Sequence, residues 1–241
     1  MLEAAKGLVL KQTKYSETSL IVSIFTFEHG KRSYIIGSVR GAKKNKTMQY
    51  FTPGSYVLFT AFEHRRSNLH RIKEIEFVQV FHSVLESVQK SAVVMFMVEM
   101  LSKILKENFT DHDLFNLLIS FFELLDTENK RTHYMLYLFL VRLAKYQGFY
   151  PHGKYSVETP VFDLQGGTFR ADFPIHNQYV QGENAEHLSN LFVMNIEEFE
   201  QLSLGSAARL ELLDSLLAFY KLHFEGVANL KSFEVLKKIY F

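Results

Sequence analysis

Near residue 80 the spacing of apolar residues changes, and that change constrains the fold more than any other feature of the 241-residue chain. Before it, apolar residues alternate as in half-buried strands; after it, they recur every three to four residues, as on helices. Residues 7–10 (Gly7, Leu8, Val9, Leu10) and 20–26 (Leu20 to Thr26, β-branched and aromatic) read as strands. Glu28, His29, Gly30 and Lys31 form a turn in which Gly30 is free to take positive φ. Residues 32–39 resume strand character. Pro53 and Gly54 make a second turn before a strand at 55–62, and residues 63–68 make a third before a last strand at 69–80. Five short strands in about 80 residues suit a small closed barrel, for which the five-stranded OB-fold is the usual solution. An SH3-like barrel is the alternative, and strand count does not separate the two.

From residue 81 the chain reads as helical. Val84, Val88, Ala92, Met95, Val98, Leu101 and Leu105 form one stripe along a single long helix over 82–107. Thr110 or Asp111 caps a second helix over 114–125. A third, over 130–146, is apolar on several faces and therefore central, with Gly148 placed to end it in a left-handed conformation. Pro151, Pro160, Pro174 and the pair Gly166–Gly167 then break the pattern, so residues 149–183 form an irregular insert containing a small hairpin about that glycine pair. Helices resume near 185 and 196, over 207–224 and over 230–240. The expected organisation is α+β and multidomain: a barrel over 1–80 and an α-helical domain over 81–241 interrupted by the insert.

Charge is divided along the same line. Residues 1–80 carry 13 Lys and Arg against 6 Asp and Glu, and residues 81–241 carry 14 against 20, although the whole chain is nearly neutral at +1. An approaching polyanion meets a dipole rather than a neutral sphere. The chain has no cysteine, which excludes disulfides, thiolate metal sites and cysteine nucleophiles and fits a reducing compartment. No basic segment followed by an apolar stretch marks a signal peptide, and the longest apolar runs fall short of the ~18 residues of a membrane span. A soluble, cytoplasmic protein that makes no membrane contact is expected.

No catalytic motif emerges. His64 and His70, or His152 and His176, lack the spacing and carboxylate neighbours of a metal site. Asp111 and Asp113 are explained by a helix N-terminus. Residues 37–41 have two glycines but not the Lys-Ser/Thr ending of a phosphate loop. The chemistry that stands out is cationic. Lys31, Arg32, Arg40, Lys43, Lys44 and Lys46 fall within 16 residues that hold no acidic residue, and Arg65, Arg66 and Arg71 follow from the third turn. Binding phosphates requires such cations along a groove, and base stacking requires exposed aromatics, for which Tyr34, Tyr50 and Phe51 are the candidates before core packing claims them. With no base-reading motif, binding is expected to ignore sequence.

Gly7 to Leu10, Tyr15 to Val22, Phe25 and Thr26 with Gly30 and Lys31, and Gly37 with Arg40, Gly41, Ala42, Lys43 and Lys44 together resemble the N-terminal signature of the bacterial recombination mediators of the RecO family. Leu143 to Pro151 resembles that family's helix end before its insert, and Asn229 to Ser232 its last helix entry. The resemblance implies an N-terminal OB-fold and a helical domain. It also implies binding to single- and double-stranded DNA, annealing of complementary strands, recognition of the acidic C-terminal tail of single-strand-binding protein, and, with RecR, loading of RecA. Many members hold zinc with four cysteines in the insert; here residues 149–182 have none, so no cofactor is expected and the insert is expected to be held by Phe149, Tyr150, Tyr155, Phe162, Phe169 and Phe173. An acidic tail needs isolated cations on an otherwise acidic domain, which singles out Arg142, Lys145 and Arg209. Two other readings stay open: a scaffold whose basic barrel binds acidic proteins, and an RNA-binding OB-fold protein.

Overall fold

A computed structural model describes residues 2–17, 19–37, 48–62, 68–127 and 131–241. Five strands, β1 (Leu2–Lys14), β2 (Leu20–Thr26), β3 (Gly30–Ile36), β4 (Tyr56–Phe62) and β5 (Leu69–Gln79), form a closed barrel in the order β1-β2-β3-β5-β4. That order, with β3 parallel to β5 and every other pair antiparallel, is the OB-fold arrangement and excludes the SH3-like alternative. Closure depends on β1, which is long enough to pair with β4 through Leu2 to Leu8 and with β2 through Gly7 to Lys14. A bulge between Val9 and Lys11 bends it between the two ladders. Inside lie Val9, Val22, Ile24, Tyr34, Phe51, Val57 and Phe59, and the Tyr34 and Phe59 rings meet edge-on at 4.8 Å.

The long first helix expected from the sequence is two helices, α1 (His82–Glu86) and α2 (Val88–Ile104). Ser87 takes an extended conformation between them, and its hydroxyl accepts the Lys90 N–H as an N-cap. The break rotates the expected stripe: Val88 and Met95 are exposed, whereas Val93, Val94, Phe96, Met97 and Met100 are buried with Val98 and Leu101. In α3 (His112–Thr127), Asp111 is the cap, its carboxylate accepting the Leu114 N–H at 2.8 Å. Phe115 of α3 packs on Phe25, Phe27 and Tyr56 of the barrel. Lys90, almost fully buried, donates to the Ser83 hydroxyl and the Asp126 carbonyl and so joins α2 to the ends of α1 and α3.

The chain divides into two compact units, Met1–Thr127 and Glu128–Phe241. The change of period near residue 80 thus marks the end of the barrel but not of its packing unit, because α1, α2 and α3 bury their apolar faces with it. In the second unit, α4 (Tyr134–Tyr146) is buried along nearly its whole length and ends at Gly148, with φ +75°. A three-stranded sheet follows, β6 (Val161–Asp163), β7 (Thr168–Arg170) and β8 (Tyr179–Gln181), in the order β7-β6-β8. The last four helices are α5 (Gly182–Val193), α6 (Ile196–Gln201), α7 (Ser206–His223) and α8 (Lys231–Tyr240). Among the described residues no helix is long and apolar enough to cross a membrane.

Gly30 takes φ +69°, and a Cβ there would sit 2.1 Å from the Phe109 carbonyl oxygen. Gly30→Ala is therefore expected to lower unfolding stability by about 2 kcal/mol or more, read by chemical denaturation, through left-handed strain and displacement of the turn between α2 and α3.

Candidate nucleic-acid interface

Cross-strand register sorts the barrel's outward side chains into rows. Lys11, Ser23, Ser33 and Leu69 occupy one row across β1, β2, β3 and β5; Thr13, Ile21, Ile35 and Arg71 occupy the next. Lys11, Thr13 and Arg71 are exposed, as is Lys14 at the end of β1, and the serine and aliphatic side chains between them are partly exposed. Phe25 and Lys31 form the row beyond Ser23 and Ser33, and there α2 and α3 cover the sheet. What stays open is the upper half of the face, with cations on both margins and a floor of partly exposed Ile21, Ile35 and Ser33, the Ser23 hydroxyl being buried.

Lys31 belongs to the covered half. Its ammonium donates to the Ser102 and Leu105 carbonyls at 2.8 and 2.9 Å and pairs with Glu107 at 3.4 Å. It thus satisfies carbonyls at the C-terminus of α2, where the helix dipole also favours a cation. Arg32 donates from Nε to the Asn108 side chain at 2.9 Å, and Asn108, at φ +60°, donates its backbone N–H to the Lys31 carbonyl. Arg71 lies on the open half, beside Ile35 on one strand and Phe62 on the other. Arg40, Lys43, Lys44, Lys46, Arg65 and Arg66 lie outside the described residues. The strand ends that flank those segments, Ile36, Phe62 and Leu69, all border Arg71 or its neighbours.

The aromatic candidates resolve toward packing. Tyr34 and Phe51 are fully buried, and Tyr50 packs on Phe77 at 4.4 Å. Tyr34 points inward because it shares parity with Ile36, which a reading by residue type alone does not register. Phe62, opposite Arg71 on β4 and 44% exposed, is the aromatic that register places in the Arg71 row, and Tyr15, in the turn between β1 and β2, is 64% exposed. Lys11 and Lys14 are absent from the residues that sequence reasoning singles out. Their signal is the polar Lys-Gln-Thr-Lys end of β1; the bulge puts Lys11 and Thr13 on the face that bears Arg71, whereas Lys14, opposite Leu20, has the other parity and is exposed at the strand's end.

In the second unit, Arg209 and the pair Arg142 and Lys145 have separate neighbours. Arg209 donates to the Leu204 carbonyl and its own carbonyl accepts the Tyr137 hydroxyl, whereas Arg142 acts electrostatically on Tyr150 beyond the end of α4. Arg209 instead shares its surroundings with Arg131 and His133. Burial, then the charges of Arg209 and Arg131, push the His133 imidazole from its ordinary 6.5 down to about 4. Lys145 is exposed in the last turn of α4.

The insert is organised around Asp163. Its carboxylate accepts the Gln165 and Gly166 N–H groups at 2.9 and 3.0 Å and faces Arg170 at 3.3 Å and His176 at 3.4 Å. Burial pushes its carboxyl up, but the two N–H groups, His176 and Arg170 outweigh that and hold it below the usual range. Of the expected aromatics, Phe162 packs on Phe169 and Phe219, Phe149 on Phe219 and Tyr220, and Tyr150 on Phe192. Phe173 is a surface residue in contact with Tyr179. One carboxylate, one imidazole and no thiol do not fit a four-thiolate zinc site, and among the described residues no group of three or more His, Asp or Glu could hold a metal.

Residues 1–81 match the family model "Recombination protein O N terminal", and residues 85–233 match "Recombination protein O C terminal". The chain belongs to the RecO family. It is 30% identical to the DNA repair protein RecO of Phocaeicola vulgatus over the whole of both chains, and 32% identical to that of Flavobacterium psychrophilum over 98% of each. The RecO of Porphyromonas gingivalis also matches from end to end, at 24% identity. This RecO family member is therefore a DNA repair protein whose barrel is the N-terminal family domain.

Because the folded-state value of Asp163 lies below its unfolded one, its contribution to stability is complete above about 3.8 and is lost as pH falls through the folded value. Asp163→Asn is expected to cost about 2 kcal/mol at pH 7, with the deficit closing in acid; melting curves from pH 7 to pH 3 check both. A deficit that is the same at every pH would remove the carboxylate's charge from the account.

Proposed function

We propose that this protein binds single- and double-stranded DNA without sequence preference, anneals complementary strands, and works with RecR to pass DNA coated by single-strand-binding protein to RecA. The observation that carries the reading is the open half of the barrel face. Lys11, Lys14 and Arg71 border a floor of Ser23, Ser33, Ile21 and Ile35, and the flanking strand ends lead into the segments that hold Arg40, Lys43, Lys44, Lys46, Arg65 and Arg66. Such a face neutralises phosphates and contains no reader of base edges, so affinity rests on counterion release and not on sequence. Phe62 beside Arg71 and Tyr15 in the β1–β2 turn are the exposed aromatics available for stacking.

Annealing follows from the same electrostatics. Two strands repel through their phosphates, and a surface that neutralises both lowers the cost of bringing them together. The role is that of a mediator rather than a catalyst. In the second unit the acidic tail of single-strand-binding protein is assigned to isolated cations, with Arg209 joined by Arg131 and with Arg142 and Lys145 as a separate patch.

Salt titration of labelled single-stranded DNA tests the interface. Lys43→Ala/Lys44→Ala/Lys46→Ala is expected to flatten the log-log salt slope by about 2, at ~0.7 for each phosphate left unneutralised. Lys11→Ala/Lys14→Ala/Arg71→Ala is expected to lower affinity at least tenfold at low salt. Lys31→Ala is expected to destabilise the fold by about 1–2 kcal/mol with the slope unchanged, since its ammonium serves α2. No binding at low salt would sink the proposal, and equal preference for RNA of the same sequence would favour the RNA-binding reading. Annealing of coated strands that is indifferent to removal of the single-strand-binding protein tail would remove the mediator role.

A further inference from the structure

A groove of about 770 Å³ runs within the second unit between β8 and α7, well away in sequence from every residue assigned above to DNA. Its walls carry Glu211 and Asp214, both exposed, and among the described residues no Lys or Arg lines it. At its base Asn184 is 92% buried; its amide donates to the Ser215 hydroxyl at 2.8 Å, while its carbonyl oxygen is buried with no hydrogen-bond partner. A buried, unmatched acceptor costs free energy unless a ligand or water supplies a donor. Two carboxylates nearby specify the charge of that donor.

The groove's other wall is a strand edge. In the order β7-β6-β8, β8 pairs with β6 on one side alone, and all of residues 177–181 line the groove, inward- and outward-pointing side chains alike. The ladder fixes which backbone groups are available. Leu164 donates to the Gln178 carbonyl, and Phe162 pairs with Val180. By alternation Tyr179, opposite Asp163, forms a non-hydrogen-bonded pair, so its N–H and C=O point away from β6 toward the free edge. Free edges of this kind accept an added strand.

We infer that this groove binds an extended, basic peptide segment of a protein partner, which adds to β8 by main-chain hydrogen bonds at Tyr179 and places a Lys or Arg between Glu211 and Asp214, with a donor to Asn184. Backbone pairing supplies the seat and the carboxylates select charge. Val180 and Leu164 provide the apolar floor on which the peptide's alternate side chains rest.

The test uses the full chain and a dye-labelled octapeptide alternating lysine and valine, followed by fluorescence anisotropy at low salt. Saturable binding is expected, weakened at least tenfold in Glu211→Gln/Asp214→Asn, whose substitutions are exposed and isosteric and whose melting temperature should match the parent. The same peptide N-methylated on alternate backbone amides should also bind at least tenfold more weakly, because it keeps its charge but not its strand-forming donors. No saturable binding, or binding untouched by the double substitution, overturns the site. Undiminished binding of the N-methylated peptide overturns strand addition and leaves only loose attraction of cations.

Discussion

The barrel exists because one strand serves two ladders. β1 is 13 residues long, and its bulge between Val9 and Lys11 lets it turn from β4 to β2 without losing pairing on either side. If β1 were straight, the five strands would remain an open sheet with two free edges and a core exposed on one side. The bulge has a second effect. It resets the parity of β1, so that Lys11 and Thr13 share a face with Ser23 and Ile21. Closure of the core and placement of Lys11 on the outer face are thus two results of the same extra residue.

The helices decide how much of that face is usable. α2 ends over the lower rows of the sheet, its carbonyls held by Lys31, and Phe115 of α3 seals Phe25 beneath it. A cation placed in sequence beside DNA-binding candidates therefore becomes an internal tie. Gly30 next to it is required because the Phe109 carbonyl approaches too closely for any side chain. The remaining open rows form a limited, cation-bordered surface, the one on which the proposed DNA binding rests.

The insert of the second unit is held by one carboxylate and by aromatic packing. Asp163 gathers two backbone N–H groups, a guanidinium and an imidazole, and the aromatic contacts of Phe162 with Phe169 and Phe219 fill the space around it. A carboxylate of this kind tightens a hairpin without thiols. β8 is an edge strand beside α7, the geometry on which the proposed peptide groove rests.

Local patterning alone determined that five strands occur, the turns at Gly30 and Gly54 and the left-handed end of α4 at Gly148, because each depends on residues a few places apart; the full length of β1 and the choice of Asp111 over Thr110 as cap came from the structure. The stretch over 82–107 reads as one helix for the converse reason: apolar spacing persists across Ser87, and only the geometry of the packed chain shows the second start. Residue type marks Lys31 and Tyr34 as functional candidates, whereas parity and neighbours from distant segments make one a helix tie and the other core. Lys11 gains meaning only when register puts it on the same face of the sheet as Arg71, one row away. Composition by itself determined that the basic charge belongs to the first 80 residues and that no thiol can hold a metal. Which cations face solvent together was decided only by tertiary structure, because cross-strand register and helix cover depend on contacts that no sequence window contains.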